Sequence, residues 1–547
     1  MFRTFLSASI FLLVAGCLQP AWAWDFRFPW LDLPASFDLT ETMVFDYHDE
    51  NHDGVDDNDD YFDLRSRLNL KLAVERLTLS IRLDTTSFFS EPSPAPGRAP
   101  YLDRYAPEKL SAIWNGDDLR VELGDFYASI GRGFALRIRK TDQLGEDTTL
   151  LGAKLRYRFG NLEFVTLSGL SNPSNTDLYE KTMADPYDLI SAAQAKLRLF
   201  DILDASLHAV HFMYDPLDAN DQAYLLPDHS WVAGAGLSVP DLAGWASLAA
   251  EFNWLGRQLK PFIGQDEGDF QNAWAGYLSA SVFLGNFTLL GEFKSTDDFY
   301  AYTETASDDG QHNTTRLEYL RPPTLEPEQM EVVNNHDVTG GRLRLDWRPG
   351  AADTVVFGSL AYFAGDDGPA GKRFISHSRL GAEQRFLGSG RAVLAVGLRE
   401  EHPDYAFGHH VHLVYVDAEL KVPVSARHSL ELHGTHWMLH ELIPTRDYHK
   451  GEWTLGYAWS PWFTASVIFA YDNSPSVGES FAVFHRQDID PLERQLFLAG
   501  SLSLNLWSQA QLRLLFGQLR GGLKCIDGAC RVIPPFAGVR TELTLRF

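Results

Sequence analysis

Apolar and polar residues alternate one by one along much of the chain. In residues 62–72, Phe62, Leu64, Ser66, Leu68, Leu70 and Leu72 fall on one face of an extended strand, and Asp63, Arg65, Arg67, Asn69 and Lys71 on the other. A period of two is the strand period, and a strand with these two faces sits between oil and water. The same alternation returns in residues 77–84, 153–159, 342–347 and 539–547. A water-soluble core has little use for so many half-apolar, half-charged strands. A closed barrel with hydrocarbon outside and water inside uses all of them.

The connections alternate as well. Short turns are expected at Glu75 and Arg76, at 116–118, at Gly160 and Asn161, at Gly285 and Asn286, at 388–390, and at Ser460 and Pro461. Between them lie longer polar stretches at 48–60, 90–106, 172–187, 257–271, 298–335 and 474–489. Pairing each short turn with two strands, and adding first and last strands near 38–47 and 536–547, predicts an all-β fold: a transmembrane antiparallel up-and-down β-barrel of about 24 strands, within a range of about 18–26. An even count returns both ends of the chain to the short-turn side.

At the N-terminus, Arg3, an apolar run over 5–16 and Ala21-Trp22-Ala23 read as an export signal spanning 1–23. Residues 24–37 would then be a periplasmic segment and 38–547 the barrel. Val14-Ala15-Gly16-Cys17 offers the alternative of a lipoprotein cleavage box. The mean hydropathy of −0.19 is ordinary for a soluble protein, as expected when only every second strand residue faces lipid. A formal net charge of −26 and 3 Cys in 547 residues exclude a basic nucleic-acid binder and a disulfide scaffold.

The last residues, 539–547 (VRTELTLRF), resemble the final strand of Gram-negative outer-membrane proteins, alternating and ending in Phe547. That resemblance implies residence in the outer membrane, contact with its lipid and lipopolysaccharide, and reading of this strand by the barrel-assembly machinery. Residues 123–140 (LGDFYASIGRGFALRIRK) resemble a segment of a group of large, poorly characterised outer-membrane barrels.

Three features bear on function. First, Gly131 and Gly133 permit a sharp bend, after which Arg137, Arg139 and Lys140 follow a strand already long enough to cross the membrane. If the chain folds inward there, Arg132, Arg137, Arg139 and Lys140 stand at a constriction that would select anions. Folding outward instead leaves a loop base whose arginines pair with carboxylates or lipid head groups. Second, the polar strand faces carry thirteen basic residues (Arg65, Arg67, Lys71, Arg82, Lys154, Arg156, Arg158, Lys196, Arg198, Arg342, Arg344, Arg540 and Arg546). Against them stand five acidic ones (Asp63, Asp84, Glu163, Asp346 and Glu542). Such a wall is either anion-attracting or mutually paired. Third, residues 49–60 (DENHDGVDDNDD) resemble the Ca2+ loops of EF-hands, dockerins and thrombospondin repeats. Asp49, Asn51, Asp53, Asp57 and Asp60 offer side-chain oxygens and Val55 a carbonyl.

Cys525 and Cys530 are spaced for a local disulfide in an oxidising compartment. Half of the 18 His fall between His402 and His449, where rim hydrogen bonding is expected. A metal cluster there would need neighbouring strands to bring irregularly spaced residues together. No nucleophile–base or paired-carboxylate set stands out, so the expectation is a non-enzyme: a wide channel passing anionic or polar solutes, polysaccharide export included, similar to alginate-export porins. That role would bring in a periplasmic export partner. The alternatives are a closed receptor, adhesin or structural barrel, and, further off, an outer-membrane enzyme.

Overall fold

A computed structural model of the chain describes residues 26–27, 33–49, 60–89, 103–176, 185–214, 227–259, 269–305, 315–325, 336–350, 353–366, 372–403, 411–442, 445–473, 495–526, 529–533 and 535–547. Twenty-four antiparallel strands form one closed wall, each hydrogen-bonded to its sequence neighbour. The first strand, Pro34–His48, closes the ring against the last, Phe536–Arg546, with Thr40 opposite Arg546 and Asp46 opposite Arg540. Phe26–Arg27 adds a short pairing at the foot of the first strand. The export signal lies outside the described residues.

Every short turn read from the alternation is present between strands, and the first strand begins and the last strand ends on that rim. In outer-membrane barrels the short-turn rim is periplasmic and the long loops are extracellular. Exposed Leu and Phe residues line the outer face, and aromatic side chains gather at both of its edges. Trp114, Phe159, Trp245, Phe287, Trp347, Trp459 and Trp507 lie near the short turns, and Phe62, Trp231, Trp254, Phe270 and Trp274 near the long loops. Phe287 stacks on its cross-strand partner Trp347 at 6.1 Å. Two aromatic girdles around an apolar band are the mark of a barrel seated in a bilayer, where amphipathic rings favour the interface.

The alternation is not uniform on the inner face. In Thr149–Phe159 the inward residues begin with Leu150 and Gly152 and continue as Lys154, Arg156 and Arg158. In Leu189–Leu199 they begin with Ile190 and Ala192 and end with Lys196 and Arg198. From about the sixth to the twelfth strand, the extracellular half of the inner wall is therefore largely apolar, with His208, Glu251, Asn253 and Arg257 as its polar members. Leu150, Leu167, Ile190, Val210, Phe212, Val232, Leu255, Ala273 and Ala275 are all buried in one cluster.

Candidate functional site

That apolar patch is covered from within. The fifth strand, Leu119–Phe126, is short, and the chain beyond it turns into the lumen. Ala128–Ile130 pairs with Leu136–Ile138 as a small hairpin, followed by Lys140–Thr141, a 3-10 turn over Asp142–Leu144, and Glu146–Asp147 returning to pair with it. Gly131 (φ 66) and Gly133 (φ 95) make the hairpin bend in a backbone region that only glycine enters cheaply. They also allow close approach. A Cβ on Gly131 would meet Glu251 Oε1 at 2.3 Å, and one on Gly133 would meet the Arg321 carbonyl oxygen at 2.4 Å.

Ala128, Ile130, Phe134, Ala135, Leu136, Ile138 and Leu144 are buried, the hairpin residues among them in the same cluster as the wall. Residues 298–305 and 315–325 also lie inward and complete the packing through Phe299, Ala301, Tyr319 and Leu320. The two segments are tied by Arg137 N–H to the Tyr319 carbonyl and Arg321 N–H to the Gly133 carbonyl, both at 2.8 Å, and by an Arg321–Glu146 ion pair. The wall holds them with polar contacts. Arg132 N–H donates to Glu251 Oε2 at 2.9 Å, and Asn253 carries Glu251 on through a 2.6 Å contact to His208. Arg257 lies 4.0 Å from the Tyr300 ring, and Tyr319 OH donates to Asp188 at 2.6 Å. From the far side, Arg531 donates to the Leu144 and Gly145 carbonyls.

The return strand is anchored by Asp147. Lys109 Nζ donates to it at 2.9 Å, Tyr127 OH at 2.6 Å, and Arg82 pairs with it. Burial raises the carboxyl pKa, but Lys109, Tyr127 and Arg82 outweigh it and hold Asp147 well below the usual carboxylate range. The Tyr127 hydroxyl is pushed up by burial and by Asp147.

The basic residues proposed from sequence fall into two groups. Arg132 and Lys140 are exposed on the inward segment, and Arg137 and Arg139 are partly exposed beside buried neighbours. Arg132 lies 5.8 Å from the Tyr277 ring, and Lys140 pairs with Asp142 at 2.6 Å. Arg65, Arg67, Arg156 and Arg158 are on the lumenal face of the wall, each within 4 Å of a carboxylate: Asp46 and Asp63, Asp84, Glu163, and Glu163 again. Eleven of the thirteen basic wall residues have such a partner. The excess of cations counted from sequence is smaller in three dimensions, because Asp38, Asp46, Glu122, Asp204 and Glu292 come from strands whose alternation is less clean. Seven of these eleven are directly opposite in register: Arg67 with Asp84, Lys71 with Asp38, Lys154 with Glu122, Arg158 with Glu163, Arg198 with Asp204, Arg342 with Glu292 and Arg540 with Asp46.

Of the residues proposed for Ca2+, Asn51, Asp53, Val55 and Asp57 lie outside the described residues, while Asp49 and Asp60 flank the gap. Next to them, Asp46, His48 and Asp63 are buried, and each offers a ligand atom within 4.8 Å of the others. Arg540 forks onto Asp46, and Arg65 binds both carboxylates, so this cluster is already neutralised and does not suit a cation. Cys525 and Cys530 are opposite each other in the backbone register of the hairpin Gly522–Ile526 with Ala529–Ile533.

The inward segment was foreseeable at Gly131 and Gly133, but its docking surface was not read from sequence. Its signal is local loss of alternation: Leu150 and Leu151, Leu189 and Ile190, and Phe212 and Met213 place apolar residues on both faces at the extracellular strand ends. A lipid-facing barrel wall needs apolar residues on one face only, so such doublets mark a wall covered on the inside as well.

A closed 24-strand wall with an apolar outer band and two aromatic girdles defines a β-barrel of the Gram-negative outer membrane. A family model described as "Family of unknown function (DUF6029)" matches residues 11–209. No curated protein matches the chain. Among solved structures, the chain is similar to the siderophore receptor PirA from Pseudomonas aeruginosa, with 10% identity, 93% of this chain and 80% of that chain covered, and a TM-score of 0.48. It is also similar to the P pilus usher (PapC) translocation pore, with 8% identity, 93% and 99% covered and a TM-score of 0.41. The copper transporter OprC is a third, with 8% identity, 94% and 80% covered and a TM-score of 0.45.

Proposed function

We propose that the protein is an outer-membrane channel for anionic or polar solutes, polysaccharides in export among them, with the inward segment 127–148 as its selective constriction. One observation carries this reading. The wall's cations are largely cancelled by directly opposed carboxylates, whereas the inward segment turns Ile130, Phe134, Leu136 and Ile138 to the wall and leaves Arg132 exposed. In a narrow passage, nearby fixed charges outweigh the acidic loops, which salt screens over a Debye length of about 8 Å. The chain's overall charge of −26 therefore does not set the selectivity.

The test is reconstitution of the purified protein in planar bilayers. Discrete conductance steps with an anion-preferring reversal potential in a salt gradient are expected. A parent without steps would favour a closed surface receptor, a reading that the two inward segments also support. An engaged periplasmic export partner would meet the short-turn rim, and the assembly machinery the strand ending at Phe547. Residues 49–60 are proposed to bind Ca2+ through Asp49, Asn51, Asp53, Val55, Asp57 and Asp60, and Cys525 and Cys530 to form a disulfide across their hairpin.

A further inference from the structure

The strand register gathers the histidines that looked scattered in sequence. Glu400 is opposite His412, His412 opposite His440, and His440 opposite Asp447, so four adjacent strands contribute one continuous row. His402 lies two residues beyond Glu400 on the same face of its strand. That face is the outer one: Leu394, Val396 and Leu398, which alternate in step with Glu400 and His402, are exposed, while Arg399 and Glu401 are buried on the lumenal side. The row sits at the extracellular end of the strands.

Within the row, one carboxylate is flanked by imidazoles. Glu400 stands between two imidazoles, its Oε1 3.4 Å from His412 Nδ1 and its Oε2 3.7 Å from His402 Nε2. Donor atoms about 2.0 Å from a tetrahedral zinc are about 3.3 Å apart, so Glu400 already stands near ligand spacing from each imidazole, and the two imidazoles must turn toward each other to share one shell. The His402 and His412 rings are 6.0 Å apart, and the His440 ring is 6.4 Å from His412 on the other side. Asp447 Oδ1 holds His440 Nδ1 at 2.6 Å, the carboxylate–imidazole pairing that fixes the ring of a metal-binding histidine. Two imidazoles and a carboxylate, with a third imidazole in reach, suit a borderline divalent ion and not Ca2+, which takes oxygen ligands.

We propose that His402, Glu400 and His412, with His440 as the neighbouring fourth group, form a zinc-class metal site on the outer face of the extracellular rim. It is separate from the lumen and from residues 49–60. Bound metal would staple the strands Gly390–Pro403, Val411–Pro423 and His428–Leu442 at their extracellular ends.

The test is titration of metal-free, detergent-solubilised full chain with Zn2+ against a chromophoric chelator, with Ca2+ in excess to occupy residues 49–60. Co2+ would be titrated in parallel to read the visible spectrum of a tetrahedral nitrogen-containing site. The parent should bind one Zn2+ per chain. His402→Gln with His412→Gln should lose that binding, and Glu400→Gln should weaken it roughly tenfold. His433→Gln, on the lumenal face opposite Glu419, should bind like the parent. Heat-modifiable gel migration would verify that each variant is folded, with the single His412→Gln substituted if the double variant is not. No saturable Zn2+ binding by the parent, or parental affinity in the folded His402/His412 variant, would overturn the site.

Discussion

The two halves of the lumenal wall are built on opposite principles. From Thr149–Phe159 round to Phe270–Leu284, the extracellular half of the inner face is largely apolar and carries two segments of the chain's own loops. From Val338–Trp347 round through the closing seam to Leu77–Phe89, the inner face is a mesh of opposed charges: Arg379 with Asp417, Arg391 with Glu419, Arg513 with Glu542, Arg540 with Asp46 and Arg67 with Asp84. The charged sector tolerates water because most of its ions have a partner within reach. The apolar sector excludes water, because exposing its Leu, Ile, Val and Phe side chains would forfeit about 25 cal/mol for each Å2 uncovered. A barrel needing only rigidity could have used the mesh all round. The apolar sector is therefore a docking surface for the two inward segments.

The largest expected effect comes from breaking the docking. Phe134 is fully buried between the hairpin and the wall, with Tyr277 and Phe299 rings each 6.2 Å away. Phe134→Asp would bury an unpaired carboxylate at a cost of several kcal/mol, which the segment avoids by undocking. Single-channel conductance should rise several-fold while the folded band on unheated gels keeps its heat resistance, because the substitution lies off the wall. Unchanged conductance in a folded Phe134→Asp protein would mean that the segment does not limit the pore.

The mesh should respond in the reverse way. Asp46 is fully buried and holds Arg540 across the seam between the first and last strands and Arg65 on its other side. Asp46→Asn leaves two guanidinium groups facing a neutral amide and should cost about 3 kcal/mol, seen as a lower temperature for loss of the folded band, with conductance little changed. Asp204→Asn, which removes the exposed partner of Arg198, should leave that temperature where it was.

How far the sequence could carry this comparison depends on what each feature requires. Strand number, turn positions and the lumenal face of residues 62–72 follow from period-two alternation alone, which is local. The mesh is only half local. Arg67 and Asp84 lie on adjacent strands joined by the turn at Glu75 and Arg76, and both were visible. Arg540 meets Asp46 only because the ring closes, and no local pattern says that residue 46 and residue 540 are neighbours. The inward segment was legible as a bend at Gly131 and Gly133, but Glu251 and Arg321, which receive it, lie more than a hundred residues away. The histidine row is the extreme case: its spacing in sequence is irregular because it runs across strands, perpendicular to the chain, and only the register aligns it.

A smaller effect should come from the charges on the docked segment. Changing Arg132, Arg137 and Arg139 to Gln leaves the buried Phe134, Leu136 and Ile138 in place, so the conductance should stay within about twofold while the reversal potential moves toward zero anion preference. An unchanged reversal potential would assign selectivity to the wall and remove the difference in role between the two sectors.

The smallest effect expected is that of moderate acid on the anchor at Asp147. Its carboxyl is held below the ordinary range in the folded protein by Lys109, Tyr127 and Arg82 acting against burial. A folded pKa below the unfolded value of about 3.9 means that the anchor contributes its full stability above that pH and loses it only as pH falls further, toward the folded pKa. Lowering the pH from 8 to 4 should therefore leave the docked segment and the conductance unchanged, whereas Asp147→Asn should loosen the segment at every pH, because Lys109 and Arg82 lose their shared countercharge. If the parent's conductance rose between pH 6 and 4, a group other than Asp147 would be holding the segment, and the return strand Glu146–Asp147 would not be the anchor.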